Sequence, residues 1–570
     1  MSKTDVVEQY SLWKDNATDN EDLIFELKSI EGNEFEITDR FYRELEFGTG
    51  GLRGVIGAGT NRMNYYTVRK ATQGLTNYIL KQQLSGASVV IGYDSRIKSD
   101  YFAKKTAEVF AGNGIKAFVF RTLIPTPIVS FATRKLGAVA GINITASHNP
   151  AKYNGYKVYG ADGCQITDKA ASEILSEIDE VAIFSDVKST EFDAAVTNNE
   201  IVYVAEEIIE RYYLAIKEQA LHKNICKTAG LKVVYTPLNG AGNIPVRRIL
   251  SDIGVEDVIV VPEQEKPDGN FPTCPFPNPE IKEALSKGLE LCDKVKADLL
   301  LATDPDCDRV GIAVPDGNGK YILLSGNETG ALLLEYIIRE RIQFGTLPNN
   351  AIAIKTIVTT PLADKICSKY GVTLREVLTG FKYIGEQIGL LERSGEAGRF
   401  VFGLEESYGY LAGTYAHDKD AVVASMLICE MAACYRSKGI SLFEVRENLY
   451  NEYGYYYNAL ETFSFEGASG MDKMRSIMTE LRNDRPIEIN GCKVTLYSDY
   501  KNRINTPLDL PESDVIALTL EDEAKIIIRP SGTESKLKIY YSTVGGSMLE
   551  AENLQKGYAD CIVKCYYLRK

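Results

Sequence analysis

Three times along this chain an apolar run of strand length is followed, roughly 50 to 70 residues later, by a second that ends in a polar loop. The opening runs are Val89-Val-Ile-Gly, Val233-Val-Tyr-Thr and Ile352-Ala-Ile-Lys; the closing ones are Asn143-Ile-Thr-Ala-Ser-His, Leu300-Leu-Ala-Thr-Asp-Pro-Asp and Phe402-Gly-Leu-Glu-Glu-Ser. Helical segments, such as Val68 to Gln83 and Tyr101 to Asn113, lie between strands such as Ser88 to Gly92 and Lys116 to Phe120. Strands alternating with helices argue for α/β sheets. The chain therefore reads as three related α/β domains, each offering one loop at the C-terminal end of a strand, where α/β proteins bind ligands.

At 570 residues the chain is too long for one core. The expected segments are 1-202, 203-322, 323-455 and 456-570. Residues 1 to 46 read as amphipathic helices carrying Leu23, Ile24, Phe25 and Leu27. The last segment reads as a small α+β domain: a helix near Gly470 to Leu481, then two strands joined by Asn490-Gly491, a hairpin turn in which both residues tolerate positive φ. Strands over Val515 to Leu520, Lys525 to Arg529 and Lys536 to Ser542 precede a closing helix, Met548 to Tyr567.

Composition excludes several classes. The net charge is −14 with no basic tract, which argues against general nucleic-acid binding. No run approaches the ~18 to 20 apolar residues of a membrane span. The N-terminus is polar and acidic, unlike a signal or transit peptide, so a cytoplasmic protein is expected. Eleven scattered cysteines, with no Cys-x-x-Cys pair, fit free thiols in a reducing compartment. Cys561 and Cys565 are expected to pack on the buried face of the last helix, and His222 to sit in a helical stretch at the surface.

The loops hold the chemistry. Thr145-Ala-Ser147-His148-Asn-Pro150 puts a hydroxyl beside an imidazole just after a strand, with Lys157 ten residues beyond the serine. A serine so placed is a candidate nucleophile or phosphate carrier, and Asn149-Pro150 disfavours a helix starting at it. Asp304-Pro-Asp306-Cys-Asp308-Arg309 sets three carboxylates at alternate positions, able to converge on one hard cation. It is not an EF-hand, because Arg309 and Pro315 stand where glycine and glutamate are required. Mg²⁺ suits such a site beside a phosphoryl group. Phe47-Gly-Thr-Gly-Gly-Leu-Arg53-Gly54 offers backbone N–H groups and a guanidinium to an anion, and the strand ending at Gly92 leads into Asp94 and Arg96. Arg529-Pro-Ser531-Gly532-Thr533-Glu534 combines a guanidinium, two hydroxyls and a glycine N–H, which suits a phosphate dianion. Glu405-Glu-Ser407 suits a polyhydroxyl ligand, while Thr379-Gly380-Phe-Lys382 and His417-Asp-Lys419 supply Thr379, Gly380, Lys382 and Lys419 as further candidate contacts.

In chain order the Ser147, Asp304, Glu405 and Arg529 motifs resemble the α-D-phosphohexomutase superfamily over about residues 47 to 545, and the glycine-rich opening is most similar to its phosphoglucomutase and phosphopentomutase branch. The resemblance implies four domains around a central cleft: three α/β domains with mixed sheets and a C-terminal α+β domain. It implies that Ser147 is a phosphoserine and that Asp304, Asp306, Asp308 and a phosphoserine oxygen hold Mg²⁺. Glu405 and Ser407 would bind sugar hydroxyls, and Arg529, Ser531, Gly532 and Thr533 the non-reacting phosphate. Lys157 and His148 would serve proton transfer, with Arg53 and Arg309 steadying the transferring charge.

The implied reaction interconverts glucose 1-phosphate and glucose 6-phosphate through a bound glucose 1,6-bisphosphate, which also primes the enzyme. Phosphopentomutase, phosphomannomutase and bisphosphate-synthase activities are alternatives on the same scaffold. Some relatives carry a histidine two residues after the sugar-loop serine; here Gly409 stands there, which favours glucose over mannose. A phosphoserine-dependent phosphatase and a non-catalytic binding protein are the readings from other classes. The expected partner is a phosphosugar, with neither nucleic acid nor membrane, and the chain is expected to act as a monomer or weak homodimer. The fourth domain is expected to close over the site and exclude water.

Overall fold

The computed structural model describes residues 3–48, 50–465, 468–507, 510–530, 536–566 and 568. Packing divides the chain into two compact units. The first comprises Met1–Gly326, Phe381–Gly403 and Ser407–Gly439; the second comprises Asn327–Gly380, Leu404–Glu406 and Ile440–Lys570.

The first unit opens with α1 (Lys3–Asn16), α2 (Glu21–Ser29) and α3 (Glu34–Phe41). Asn20 and Asn33 cap the latter two, each side chain accepting a backbone N–H three residues on. The three helices gather around Trp13, which is fully buried and meets Phe41, Tyr66 and Phe184 edge-on at centroid distances of 5.9, 5.6 and 5.5 Å. Trp13→Ala should cost about 3 to 5 kcal/mol of this packing. It is expected to speed clipping of the N-terminal helices by a protease under native conditions; an unchanged rate would show that they are held by other contacts.

The first sheet contains β1 (Leu52–Val55), β2 (Ser88–Tyr93), β3 (Lys116–Val119), β4 (Ala140–Ile144), β5 (Tyr153–Gly160) and β6 (Ile201–Tyr203), in the order β1-β5-β4-β2-β3-β6. Strands β4, β2, β3 and β6 run parallel, whereas β5 pairs antiparallel with β4 and β1 antiparallel with β5. β4 and most of β2 are buried apolar runs, as expected of strands covered on both faces. Their cover includes α4 (Tyr65–Lys81), α5 (Ser99–Gly112) and α6 (Thr126–Lys135).

The pattern then repeats. β7 (Lys232–Thr236), β8 (Asp257–Val260), β9 (Leu299–Thr303), β10 (Val310–Pro315) and β11 (Tyr321–Leu324) form a sheet ordered β11-β10-β9-β7-β8. β12 (Ile352–Thr356), β13 (Thr373–Val377), β14 (Phe400–Glu405) and β15 (Gly409–Leu411) follow in the order β13-β12-β14-β15. In each repeat the opening strand lies between its successor and the loop-bearing strand, so β4, β9 and β14 are equivalent. The spacing of apolar runs had marked all three.

In the second unit β16 (Tyr455–Ser464), β17 (Glu488–Ile489), β18 (Cys492–Asp499), β19 (Ile516–Leu520), β20 (Lys525–Pro530) and β21 (Lys536–Gly545) make an antiparallel sheet ordered β16-β21-β20-β19-β18-β17. Asn490 (φ 49°) and Gly491 (φ 80°) form the expected hairpin turn between β17 and β18. The helices Ala468–Asn483 and Met548–Cys565 contribute to this sheet's core. All eleven cysteines are free. Cys561 is only half-buried and Cys565 is exposed, so the expected burial of this pair fails: Ile562, Tyr558 and Ala559 take the inner positions of the helix. Among the described residues no helix is long and apolar enough to cross a membrane.

Candidate active site

The loop from β4 to β5 is held from below. Ser147 adopts φ 51°, a left-handed conformation that a side chain rarely takes, and its N–H donates to Thr145 Oγ1 at 2.8 Å. Thr145 in turn donates to Asp94 Oδ2 at 2.6 Å. Buried Arg96, beside Asp94 at 3.4 Å, donates to the carbonyls of Ser147, Asn149, Pro150 and Tyr153. One guanidinium thus satisfies four carbonyls that would otherwise be costly to bury. The equivalent loops after β9 and β14 each carry one left-handed residue as well, Cys307 (φ 54°) and Tyr408 (φ 64°). The repeat therefore extends to the backbone of the loops.

Ser147 Oγ donates to Asp304 Oδ2 at 2.8 Å and lies 3.1 Å from His148 Nδ1. Asp304 Oδ1 accepts the backbone N–H groups of Asp308 and Arg309, both at 3.0 Å, which curls the second loop so that its carboxylates converge. Ligand oxygens of Asp304, Asp306 and Asp308 lie within 4.8 Å of one another, and all three residues are buried. Asp306 Oδ1 and Asp308 Oδ1 have no hydrogen-bond partner. Two orphaned buried carboxylate oxygens beside a third, in an all-oxygen set, fit a hard divalent cation.

Lys157, on β5, donates to Asp306 Oδ2 at 2.6 Å and Asp308 Oδ2 at 3.0 Å, and Lys419 Nζ lies 3.0 Å from the same Asp308 oxygen. Burial and the neighbouring Asp306 and Asp308 charges push the Asp304 carboxyl well above the usual carboxylate range. Burial would also raise Asp306, but the Lys157 ammonium and its hydrogen bond hold it below. Lys157 itself, though buried, is held charged by Asp306 and Asp308. Burial, then the Arg309 and Arg53 charges, push the His148 imidazole well below its ordinary value. The two candidates for proton transfer thus differ: His148 is neutral and Lys157 is an ammonium.

Arg53 donates to Asn149 Oδ1 at 3.1 Å, and Arg309 to Glu280 Oε1 at 2.7 Å. The first unit thus brings together Arg53, Ser147, His148, Lys157, Asp304, Asp306, Asp308, Arg309 and Lys419. Lys382 is instead engaged with Asp168 at 2.8 Å, and Ser407 lies in the turn between β14 and β15.

In the second unit Thr379 and Gly380 follow β13; Gly380 has φ 119°, and Thr379 Oγ1 is buried without a partner. Glu405 ends β14, and Glu406 accepts from Thr356 Oγ1 at 3.1 Å. Arg529 lies near the end of β20. Burial pushes the Tyr540 phenol up to about 12, with Glu406 and Glu405 opposing its ionisation and Arg529 favouring it, so these candidates share one neighbourhood. Ser531, Gly532 and Thr533 lie outside the described residues, as does Thr49 of the glycine-rich stretch.

Asp94 and Arg96 carry no motif of their own, yet they are charges closely following a buried strand, the same signal that marks Asp304. Two histidine positions also needed the structure. His222 is not helical: it lies half-buried in the loop after the helix Glu206–Lys217, its N–H bonded to Glu430 at 3.0 Å and its Nε2 3.9 Å from Cys434 Sγ. His417 is fully buried, 3.2 Å from Glu392, which Arg134 also holds at 2.6 Å.

Repeated α/β domains whose strand-end loops bring a buried serine onto a carboxylate cluster define a class of multidomain phosphotransfer proteins. Models of phosphoglucomutase/phosphomannomutase α/β/α domains I, II and III match residues 44–182, 210–317 and 325–453. The chain belongs to this family, within the α-D-phosphohexomutase superfamily and its phosphoglucomutase branch. It is 35% identical over 554 residues to a phosphoglucomutase of Staphylococcus saprophyticus, covering 96% of this chain and 97% of the relative. A phosphoglucomutase of Staphylococcus aureus is 36% identical over 518 residues, covering 89% and 91%. Among solved structures, parafusin, a phosphoglucomutase from Paramecium, superposes with a TM-score of 0.70 at 18% identity over 92% of this chain and 96% of that one. A phosphoglucomutase/phosphomannomutase family protein from Burkholderia thailandensis gives 0.67 at 17% identity over 91% and 97%. These structural likenesses concern the fold.

Proposed function

We propose that this chain interconverts glucose 1-phosphate and glucose 6-phosphate, with Ser147 as the phosphoryl carrier. The observation that carries the reading is the contact of Ser147 Oγ with Asp304 inside a buried three-carboxylate cluster, next to a neutral imidazole. The identity to staphylococcal phosphoglucomutases supports the sugar. Asp304, Asp306, Asp308 and an oxygen of phosphorylated Ser147 would hold Mg²⁺, which when bound offsets the charge of the transferring phosphoryl group.

In the first half-reaction the P–O bond to Ser147 Oγ breaks and one to the sugar 6-oxygen forms, while the 6-hydroxyl proton passes by way of His148 to Ser147 Oγ, leaving glucose 1,6-bisphosphate bound. After the sugar turns over, the Ser147 hydroxyl attacks the 1-phosphate and its proton passes to His148 Nδ1, 3.1 Å away. The P–O bond to the sugar 1-oxygen breaks, His148 returns the proton to that oxygen, and glucose 6-phosphate is released. Lys157, an ammonium, orients Asp306 and Asp308 and offsets their charge. Arg53 and Arg309 steady the phosphoryl oxygens. Glu405 and Ser407 bind sugar hydroxyls, and Arg529 with Ser531, Gly532 and Thr533 the phosphate that does not react. Thr379, Gly380, Lys382 and Lys419 are further substrate contacts on this reading.

The test is a coupled assay for glucose 6-phosphate with Mg²⁺ and trace glucose 1,6-bisphosphate, run beside mannose 1-phosphate and ribose 1-phosphate. Turnover confined to ribose 1-phosphate would replace the sugar and keep the chemistry. Phosphate release without isomerisation would overturn the reading.

Because His148 is held neutral well below its ordinary value, no inflection of kcat/KM near pH 6.5 should depend on His148. The sign follows from its role: the imidazole accepts a proton, so its own protonation removes activity, and a depressed pKa moves that loss to lower pH. A limb centred near pH 6.5 that disappears in His148→Gln would contradict this assignment.

A further inference from the structure

Asp306 is gripped through one oxygen only. Its Oδ2 accepts from Thr126 Oγ1 at 2.7 Å and from Lys157 Nζ at 2.6 Å, while Oδ1 is buried without a hydrogen-bond partner. Thr126 is the first residue of α6, and its backbone N–H donates to the carbonyl of Asp306 itself at 2.8 Å. This satisfies one of the N–H groups that a helix start leaves open, and Pro127 has none to satisfy. Side chain and main chain of Thr126 therefore clasp the same aspartate.

Behind Thr126 stands Asn143 on β4, whose Nδ2 donates to Thr126 Oγ1 at 2.7 Å. Thr126, Asn143 and Asp306 are all fully buried. The polarity of this chain is forced. A carboxylate only accepts, so the single hydroxyl proton of Thr126 points to Asp306, and the hydroxyl oxygen must then accept from Asn143. The Asn143 amide is thereby fixed with its Oδ1 buried and lacking a donor, which is unfavourable. Such a buried orphan calls for a reason.

The register supplies one. Asn143 and Lys157 are direct partners across β4 and β5, so the lysine that grips Asp306 and the asparagine that holds Thr126 share one rung of the hairpin that carries Ser147. Lys157 is long and shared with Asp308, whereas Thr126 is short, bonded at two atoms and directional. A carboxylate turns easily about its last torsion, which has a broad two-fold profile, and Thr126 is what stops it.

We propose that Asn143 and Thr126 form a buried relay that decides which oxygen of Asp306 faces the divalent cation and ties the cation loop to the serine hairpin. Both are positioning residues, and the inference rests on the reading that Asp304, Asp306 and Asp308 hold that cation.

The experiment is direct Mn²⁺ titration of the full chain after stripping with a chelator, with free Mn²⁺ followed by electron paramagnetic resonance. Partners one step removed from a metal set its affinity by about 10- to 100-fold. Thr126→Val, nearly isosteric, should weaken Mn²⁺ by that factor, and Thr126→Ser should restore binding to within about threefold of the wild type. Asn143→Leu, which leaves the start of α6 untouched, should weaken it about tenfold and serves if Thr126→Val does not fold. Wild-type affinity in Thr126→Val or in Asn143→Leu, whatever its turnover or melting temperature, would overturn the relay. Failure of the wild type to bind Mn²⁺ would overturn the cation reading and the relay with it.

Discussion

Ser147→Ala is expected to lower isomerisation at least about 10⁴-fold and to abolish transfer of labelled phosphate from glucose 1,6-bisphosphate to the protein. The loss should be chemical, because little else depends on the hydroxyl. The loop is held by the Ser147 N–H to Thr145 and the Ser147 carbonyl to Arg96, both main-chain contacts that alanine keeps. Ser147→Gly makes a useful companion. It relieves the left-handed φ of 51° yet also removes the oxygen, so it should be as inactive as the alanine variant and no less well folded. If either variant kept a tenth of the wild-type rate with labelled protein still forming, another residue would be the carrier.

Asp304→Asn is expected to reduce turnover about 10²- to 10⁴-fold at saturating Mg²⁺, and a chelator should silence the wild-type protein. The substitution separates two duties of one side chain. Asp304 Oδ1 accepts the N–H groups of Asp308 and Arg309, and an asparagine oxygen can continue to do so, which preserves the curl of the loop. The other atom becomes an NH₂ facing Ser147 Oγ, and the negative charge is gone. Thermal unfolding should therefore change little while cation affinity and turnover collapse together. Turnover within tenfold of wild type would mean that the cation is not seated on Asp304.

Much of this was legible in the amino-acid order. An apolar strand that ends abruptly in charge, as at Ile144-Thr145 or Thr303-Asp304, has a local cause and a local signature: the strand must be buried, so the charges must sit where the sheet ends. The Asn490-Gly491 turn is equally local, since the two positive φ angles are properties of those residues. The threefold recurrence could be found because each repeat buries the same kind of strand at the same place in its sheet. The cation loop was legible for a related reason, because alternation of Asp304, Asp306 and Asp308 is itself the geometry of convergence once the chain curls.

What the order of residues did not disclose is which partners each charged or polar group would find at a distance. Arg96 clasps carbonyls more than fifty residues further along, and Thr126 reaches an aspartate 180 residues away. Lys382 pairs with Asp168, 214 residues away in the chain, and His222, expected on a surface helix, sits in a half-buried loop on Glu430. Long side chains and loops have many conformers, and the choice among them is made by whatever opposite charge or open N–H the tertiary packing brings within about 3 Å, a distance over which sequence spacing has no hold. The strands, the turn residues and the loops after β4, β9 and β14 were thus determined by the sequence itself, through burial and local backbone preference. The clamp on the serine, the orientation of Asp306 and the protonation of His148 and Lys157 were decided by tertiary structure, because each is an electrostatic property of neighbours that only folding assembles.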